Sequence, residues 1–196
     1  RTKKEAWELF RIGPEGSYRD AQTKPTAYPE TRFPVDAFDQ FAKQGVPRWA
    51  TNDAPTQAAY NALVQRICPC VIVVHSQGGN FAFNAALAAP DKIKAIVAVE
   101  PSGAPDPKKV DLARLKGIPH LFVWGDYLDQ NELWKKLVPA IAAYRDGLRA
   151  AGAKAEDLSL PAHGIKGNTH MLMMDRNSDD IAASIQDWMT ENGLMK

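Results

Sequence analysis

The sequence predicts an α/β fold in which a parallel sheet of about four strands is flanked by helices. Short apolar runs with the length of buried strands alternate with segments whose apolar residues recur at helical spacing. Strands that alternate with helices imply right-handed crossovers and therefore parallel pairing. The 196 residues are 45% hydrophobic, which is enough for one domain with a substantial core.

The N-terminal part of the chain predicts helices joined by a long loop. Apolar side chains at helical spacing predict a helix over 3–10, and residues 11–34 are rich in Gly, Pro, Tyr and Thr, which predicts a loop. A short helix is expected over 35–42. Asp53 or Thr56 can cap the next helix, which extends to about residue 67 with one apolar stripe.

The rest of the chain predicts four strands and three helices. The strands are short and apolar, and the longest helix ends at a glycine. In chain order the elements are a strand over 70–75, a helix over 78–89, strands over 94–100 and 119–125, a helix over 130–151, a strand over 154–160 and a helix over about 179–192.

The first strand leads directly into a serine at a sharp turn. The β-branched run 71–74 is followed by His75, Ser76, Gln77 and two glycines, and then by a helix. Strand, tight turn and helix with a serine at the corner form a nucleophile elbow, in which the serine backbone is strained and its hydroxyl is exposed. The N–H of Gln77 then supplies half of an oxyanion hole. Val74 stands where this motif usually has a small residue, so the chain departs from the pattern there.

A serine nucleophile needs a base, and His170 is the candidate. It lies in the Gly-containing loop 167–170 just before the last helix, and the chain order of serine, acid and histidine is the one expected for α/β-hydrolases. His75 points to the other side of its strand, and His120 opens a buried strand away from the strand ends where ligands bind. His163 is expected to support the loop.

Two strand ends offer an acid to orient the histidine. Glu100 stands at the end of the strand over 94–100, while Asp126 and Asp129 follow the strand over 119–125. Most α/β-hydrolases take the acid from the later position, so Asp126 or Asp129 would be the default choice. The residues alone leave both alternatives open.

The motifs resemble those of the esterase 713-like group of bacterial hydrolases. The resemblance is carried by Val99-Glu100-Pro101-Ser102-Gly103, by Gly167-Asn168-Thr169-His170-Met171, by Phe10-Arg11-Ile12-Gly13-Pro14 and by the segment over 31–48. It implies a serine carboxylesterase with the triad Ser76, Glu100 and His170, the glutamate coming from the strand directly after the nucleophile helix. It also implies a secreted or periplasmic location.

The strand count predicts that only the C-terminal part of an α/β-hydrolase fold is present. The nucleophile follows the first of four strands, whereas in such folds it follows the fifth, and the missing loop after the third strand supplies the second oxyanion N–H. The nucleophile strand would then have an open apolar edge, which soluble proteins avoid. We therefore expect a separate polypeptide to carry the N-terminal half. A minimal four-stranded domain is the alternative.

Aromatic residues and prolines are concentrated before the nucleophile helix. This composition predicts a cap-like segment over residues 1–53, covering an active site in the hydrolase part over residues 54–196. Ordinary packing of a long insertion is the alternative interpretation.

Composition excludes several classes of partner. The net charge is +1, and 24 basic and 23 acidic residues are interspersed, so no nucleic-acid groove or anionic membrane partner is indicated. No apolar run approaches the roughly 18 residues of a membrane span. The basic start is not followed by an apolar stretch, so no signal peptide is expected. No metal or other cofactor is expected.

The two cysteines, Cys68 and Cys70, flank a proline at the entry to the nucleophile strand. We expect buried thiols, because a bridge between residues two apart would be strained. A disulfide from Cys68 to another chain is the alternative.

The leading hypothesis is hydrolysis of a small-molecule carboxylic ester through an acyl-enzyme. The same triad could instead cleave a lactone, an amide or a carbon–carbon bond, because fold does not fix substrate. A third alternative is a non-catalytic half-domain that binds a partner chain.

Overall fold

The computed structural model describes residues 2–19, 24–46 and 49–195. These residues form two compact units. The first contains Arg1–Trp49, Gly125–Lys136 and Ser159–Ala183, and the second contains Ala50–Trp124, Leu137–Leu158 and Ser184–Lys196. The predicted division into a cap over 1–53 and a hydrolase part over 54–196 stays a prediction.

Six α-helices, five short 3-10 helices and four strands make up the regular structure of the described residues. Every predicted element is present, and the strand limits agree with the prediction to within one residue at each end. The helices are α1 Lys3–Leu9, α2 Phe38–Lys43, α3 Asp53–Ile67, α4 Gly78–Ala88, α5 Glu132–Ala150 and α6 Ser178–Glu191, and the strands are β1 Cys70–His75, β2 Ile93–Val99, β3 His120–Trp124 and β4 Ala155–Ser159.

The sheet has the strand order β1-β2-β3-β4. β1 pairs with β2 and β2 with β3, both in parallel, which confirms the predicted parallel sheet. β3 is buried throughout and β2 is buried except at Lys94, because apolar residues occupy consecutive positions and both faces of these strands are covered. On α4, the ring of Phe83 packs against those of Phe122 and Tyr144, with centroids 5.7 and 4.7 Å away.

β1 is an edge strand and is less well covered than its neighbours. Within the described residues it pairs with β2 alone, and Val73 is 57% exposed. Two large apolar residues of α3, Leu63 and Ile67, are 51% and 62% exposed. The second unit therefore leaves apolar side chains uncovered on β1 and on the preceding helix, α3.

The first unit has its own core of aromatic residues. Thr2 and Glu5 form a capping box that starts α1, which then buries Trp7. Around Trp7 the core contains Ala6, Ile12, Phe33 and Phe38, with Phe10, Tyr18, Phe41, Met171 and Met174 packed against it. Six aromatic residues of the N-terminal segment thus contribute to the hydrophobic core of this unit. The proposal that the segment caps an active site stays a prediction.

Cys68 and Cys70 form a disulfide with each other, with their Cα atoms 4.5 Å apart. The prediction of buried thiols is wrong, and so is the alternative of a bridge from Cys68 to another chain. α3 ends at Ile67 and Cys68 has an extended backbone, with φ −84° and ψ 159°. A fully extended chain would place residues two apart about 6.6–7.2 Å from Cα to Cα. The backbone bends at Pro69, and the resulting separation of 4.5 Å lies within the range that disulfides span.

His120 opens β3 and is fully buried, as the sequence predicted. Its Nδ1 donates a hydrogen bond to the carbonyl of Ile118 at 2.8 Å, and the ring lies near Phe83 and Phe122. Burial lowers the pKa of His120 from 6.5 to about 4, against the opposing effect of the bond to Ile118. His120 is therefore neutral in the folded protein at neutral pH.

This buried imidazole makes stability depend on pH. The unfolded chain protonates His120 below about pH 6.5, whereas the folded chain does so only near pH 4, so stability is complete above the first value and decreases as pH falls toward the second. We expect the free energy of unfolding to fall by about 2 kcal/mol between pH 7 and pH 5 because of His120. Chemical denaturation of wild type and His120→Phe at both pH values measures the difference. An equal loss of unfolding free energy in the wild type and in His120→Phe would contradict the lowered pKa of His120.

No helix in the described part of the chain is both long and apolar enough to cross a bilayer.

Candidate active site

Ser76 lies at the junction between β1 and α4, in the second unit. Its backbone has φ 54°, a left-handed conformation that residues with side chains adopt rarely and often at functional sites. The Ser76 N–H donates to the carbonyl of Val99 at 3.1 Å, and the Ser76 carbonyl accepts from the N–H groups of Gly79 and Ser102, each at 3.1 Å. The structure therefore contains the strained turn that the sequence predicted for a nucleophile elbow.

Gln77 lies between Ser76 and the first residue of α4. It has helical backbone angles, φ −58° and ψ −29°, and its side-chain amide donates to Asp53 at 3.2 Å. The first N–H groups of a helix have no partner within the helix and lie at the positive end of its dipole. Gln77 is thus placed at a helix N-terminus that favours developing negative charge.

The turn needs a small residue at Gly79 more than at Gly78. A Cβ at Gly79 would lie 2.7 Å from the Cβ of Pro101, whereas one at Gly78 would lie 3.4 Å from the Cβ of Val74, an ordinary contact distance. The valine at the first position of the elbow pattern is therefore accommodated. The tight approach is to the loop that follows β2.

Glu100 follows β2 in the same unit and is fully buried. β1 and β2 are in register with His75 opposite Val99, so Ser76 and Glu100 follow the ends of adjacent strands. Glu100 has φ 47°, a second left-handed residue beside the first, and its N–H donates to the carbonyl of Val123 at 2.9 Å. Burying a carboxylate is costly unless it has partners. The two left-handed residues, Ser76 and Glu100, follow the carboxyl ends of adjacent strands, and such backbone strain is often found at functional sites.

His170 belongs to the first unit and is 3% exposed. Its N–H donates to the carbonyl of Phe10 at 2.9 Å. The imidazole lies near the rings of Phe10 and Trp134, with centroid distances of 5.5 and 4.8 Å. The aromatic neighbours and the backbone bond restrict the ring to a narrow range of orientations.

Asp126 is engaged with backbone N–H groups of the first unit. One carboxylate oxygen accepts from Tyr127 at 2.8 Å and the other from Gly167 at 2.9 Å. The Asp126 N–H donates to the carbonyl of Asn168 at 2.8 Å. Asp126 thus ties the loop after β3 to the loop that carries His170. Asp129, the other alternative acid, is exposed.

His163 lies in a short 3-10 helix, Pro161–His163, and is exposed. Its Nδ1 donates to the carbonyl of Ser159 at 2.9 Å, at the end of β4. This bond supports the segment that leads toward the His170 loop, which is the role expected from the sequence.

Three further residues around the His170 loop had no assigned role in the sequence analysis. Arg11 is buried with φ 57°, donates from Nε to the carbonyl of Asp126 at 2.7 Å, and places its guanidinium 4.6 Å from the centre of the Trp134 ring. Asp175 is 2% exposed and accepts hydrogen bonds from the loop. No periodicity or spacing in the sequence marks Trp134 or Asp175.

Comparison with known proteins identifies the fold family. A family model described as the α/β-hydrolase fold matches residues 68–152, the stretch that contains the elbow. A solved structure of a bacterial esterase is 38% identical and superposes with a TM-score of 0.84 over 97% of this chain. The chain has the α/β-hydrolase fold. The predicted α/β-hydrolase type of parallel sheet is thereby confirmed.

This α/β-hydrolase chain is shorter than its relatives. It covers 58% of the bacterial esterase chain. It is also 27% identical over 176 residues to a probable secreted lipase, phiG, from a fungus (Fungal sp., strain ATCC 74256), with 67% of this chain and 48% of the lipase aligned. The chain therefore spans about half the length of these two hydrolases.

Proposed function

We propose that this α/β-hydrolase chain hydrolyses carboxylic esters through an acyl-enzyme on Ser76. The observation that carries the proposal is the left-handed backbone of Ser76 between β1 and α4, the turn that makes a serine hydroxyl accessible at the N-terminus of a helix. The names of the two relatives, an esterase and a probable lipase, support an ester as the substrate.

In the proposed reaction the Ser76 hydroxyl attacks the acyl carbonyl and gives its proton to His170. The Gln77 N–H stabilises the oxyanion of the tetrahedral intermediate, which collapses as the protonated His170 donates its proton to the leaving alcohol. Water then attacks the acyl-Ser76 ester by the same route, and the carboxylic acid leaves. Glu100 orients His170 and stabilises its charged form.

Two observations support Glu100 as the acid. Its carboxylate is fully buried directly after the strand that pairs with the nucleophile strand. Asp126, at the conventional position, already binds the N–H groups of Tyr127 and Gly167 through both of its oxygens. A carboxylate used in this way holds a loop in place.

The substrate class is tested by assaying the purified protein on p-nitrophenyl esters of increasing acyl length and on the matching p-nitroanilides. We expect hydrolysis of the esters at rates far above those of the anilides, with Ser76→Ala as the inactive control. Faster cleavage of anilides would favour the amide alternative. No cleavage of any ester by a folded protein would favour the non-catalytic half-domain.

The exposed edge of the sheet leads to a proposal about a partner. β1 pairs on one side only within the described residues, and apolar side chains are exposed on β1 at Val73 and on α3 at Leu63 and Ile67. An apolar edge strand is an aggregation hazard unless another strand covers it. We propose that a separate polypeptide with the N-terminal half of the hydrolase fold pairs with β1 and supplies the second oxyanion donor.

The separate polypeptide is tested by intact mass spectrometry of the protein purified from its native source, under denaturing and reducing conditions. We expect a 21.6 kDa species together with a second species of comparable mass in equal amount. A single longer chain containing this sequence would contradict a separate partner. A lone 21.6 kDa species with full esterase activity would contradict both the partner and the missing oxyanion donor.

A further inference from the structure

The segment from Gly167 to Met171, which we call the His170 loop, has an unusually complete set of backbone hydrogen bonds. The N–H groups of Gly167, Thr169, His170 and Met171 each donate to a fixed acceptor. Gly167 has φ 82°, and a Cβ there would lie 1.7 Å from the carbonyl oxygen of Glu30. The loop is therefore held within the first unit by contacts on both sides of the histidine.

Asp175 is the buried acceptor at the centre of these contacts. It is 2% exposed, and one carboxylate oxygen accepts from the Thr169 N–H at 2.8 Å and from the side-chain amide of Asn168 at 2.9 Å. The other oxygen accepts from the Thr169 hydroxyl at 2.9 Å. Three donors aimed at one carboxyl group favour the ionised carboxylate, which acts only as an acceptor.

The hydroxyl of Thr169 also connects Asp175 to Met171, on the C-terminal side of His170. The hydroxyl donates to Asp175 and at the same time accepts from the Met171 N–H at 3.0 Å. The residues before and after His170 are thereby tied to one buried carboxylate, directly at Thr169 and through the Thr169 hydroxyl at Met171. The direction in which the His170 side chain leaves the backbone is set by this arrangement.

We propose that Asp175 is a positioning residue for the reaction, acting through Thr169 to hold the imidazole of His170 in the orientation for proton transfer. This inference rests on the proposed function, since it requires His170 to be the base. Displacement of a catalytic group by about 1 Å can cost about 10²-fold in rate without loss of substrate binding. Asp175 itself touches neither substrate nor the reacting atoms in this proposal.

The test compares Asp175→Asn with Asp179→Asn, which changes an exposed carboxylate in the first turn of α6. We expect Asp175→Asn to lower kcat about 10- to 100-fold with KM changed by less than about twofold, and Asp179→Asn to leave both unchanged. An amide in place of the carboxylate has fewer acceptor sites and meets the Thr169 and Asn168 donors with donors of its own.

The second pair of variants, Thr169→Val and Thr169→Ser, separates positioning from folding. Valine removes the hydroxyl at nearly constant volume, whereas serine keeps it, so we expect kcat to fall in Thr169→Val and to be largely retained in Thr169→Ser. Thermal melting of every variant is measured alongside.

Wild-type kcat in Asp175→Asn, or equal losses in the valine and serine variants, would overturn the positioning role. So would losses of activity that only follow the unfolded fraction. These outcomes differ from failure of the proposed function, in which the wild-type protein itself would show no Ser76-dependent hydrolysis.

Discussion

Replacing Ser76 with alanine is expected to lower kcat for ester hydrolysis by about 10⁴- to 10⁶-fold, because the change removes the atom that forms the acyl-enzyme. The melting temperature should change little. Alanine and serine tolerate the left-handed backbone of this position about equally, and the backbone hydrogen bonds of Ser76 to Val99, Gly79 and Ser102 do not involve the side chain.

The matched control for this variant is Ser159→Ala, which deletes a serine hydroxyl at the end of β4. It should keep wild-type activity. Retention of esterase activity by a pure, folded Ser76→Ala sample would remove Ser76 as the nucleophile.

Glu100→Gln is expected to lower kcat by about 10²- to 10⁴-fold, since a neutral amide cannot stabilise the charged imidazole or hold it in the correct tautomer. Asp126→Asn should cost less than about tenfold, because the carboxylate binds the backbone of Tyr127 and Gly167. Asp129→Asn, an exposed change, should have no effect.

Steady-state assays of these three variants, with thermal melting as a folding control, decide the identity of the acid. A larger loss in Asp126→Asn or Asp129→Asn than in Glu100→Gln would move the acid to the conventional position after β3. It would also weaken the resemblance from which the role of Glu100 was inferred.

The parallel sheet could be predicted from the sequence because β2 and β3 are buried on both faces. Such strands appear as nearly continuous apolar runs, and the long segments between them predict crossovers and parallel pairing. The elbow could be predicted for a similar reason, since the turn at Ser76 depends on residues adjacent in sequence. Both features depend on residues that are close together in the sequence, so patterns in the sequence can predict them.

The contacts that support the candidate site are not local. Asp126 binds Gly167 across 41 positions, and Arg11 binds Asp126 across 115. The tight contact at the elbow is between Gly79 and Pro101. The elbow pattern instead marks Gly78, one residue earlier, as the position that must be small. Contacts of this kind depend on tertiary placement, which periodicity and spacing do not encode.

The disulfide was missed for a different reason. The sequence predicted that a bridge between residues two apart would be strained, but the backbone bend at Pro69 brings the Cα atoms of Cys68 and Cys70 to 4.5 Å. The left-handed backbone and full burial of Glu100 were likewise invisible, because a glutamate after a strand is also typical of a solvated loop.

The central claim, a nucleophilic Ser76, is tested most directly by reaction with a fluorophosphonate followed by intact-mass and peptide mass spectrometry. Fluorophosphonates form a stable adduct with an activated serine and leave ordinary serines unmodified. We expect one adduct per chain, on the peptide that contains Ser76, together with loss of esterase activity in proportion to labelling and no adduct in Ser76→Ala. An adduct on another residue, or full esterase activity in protein that takes up no label, would contradict the claim.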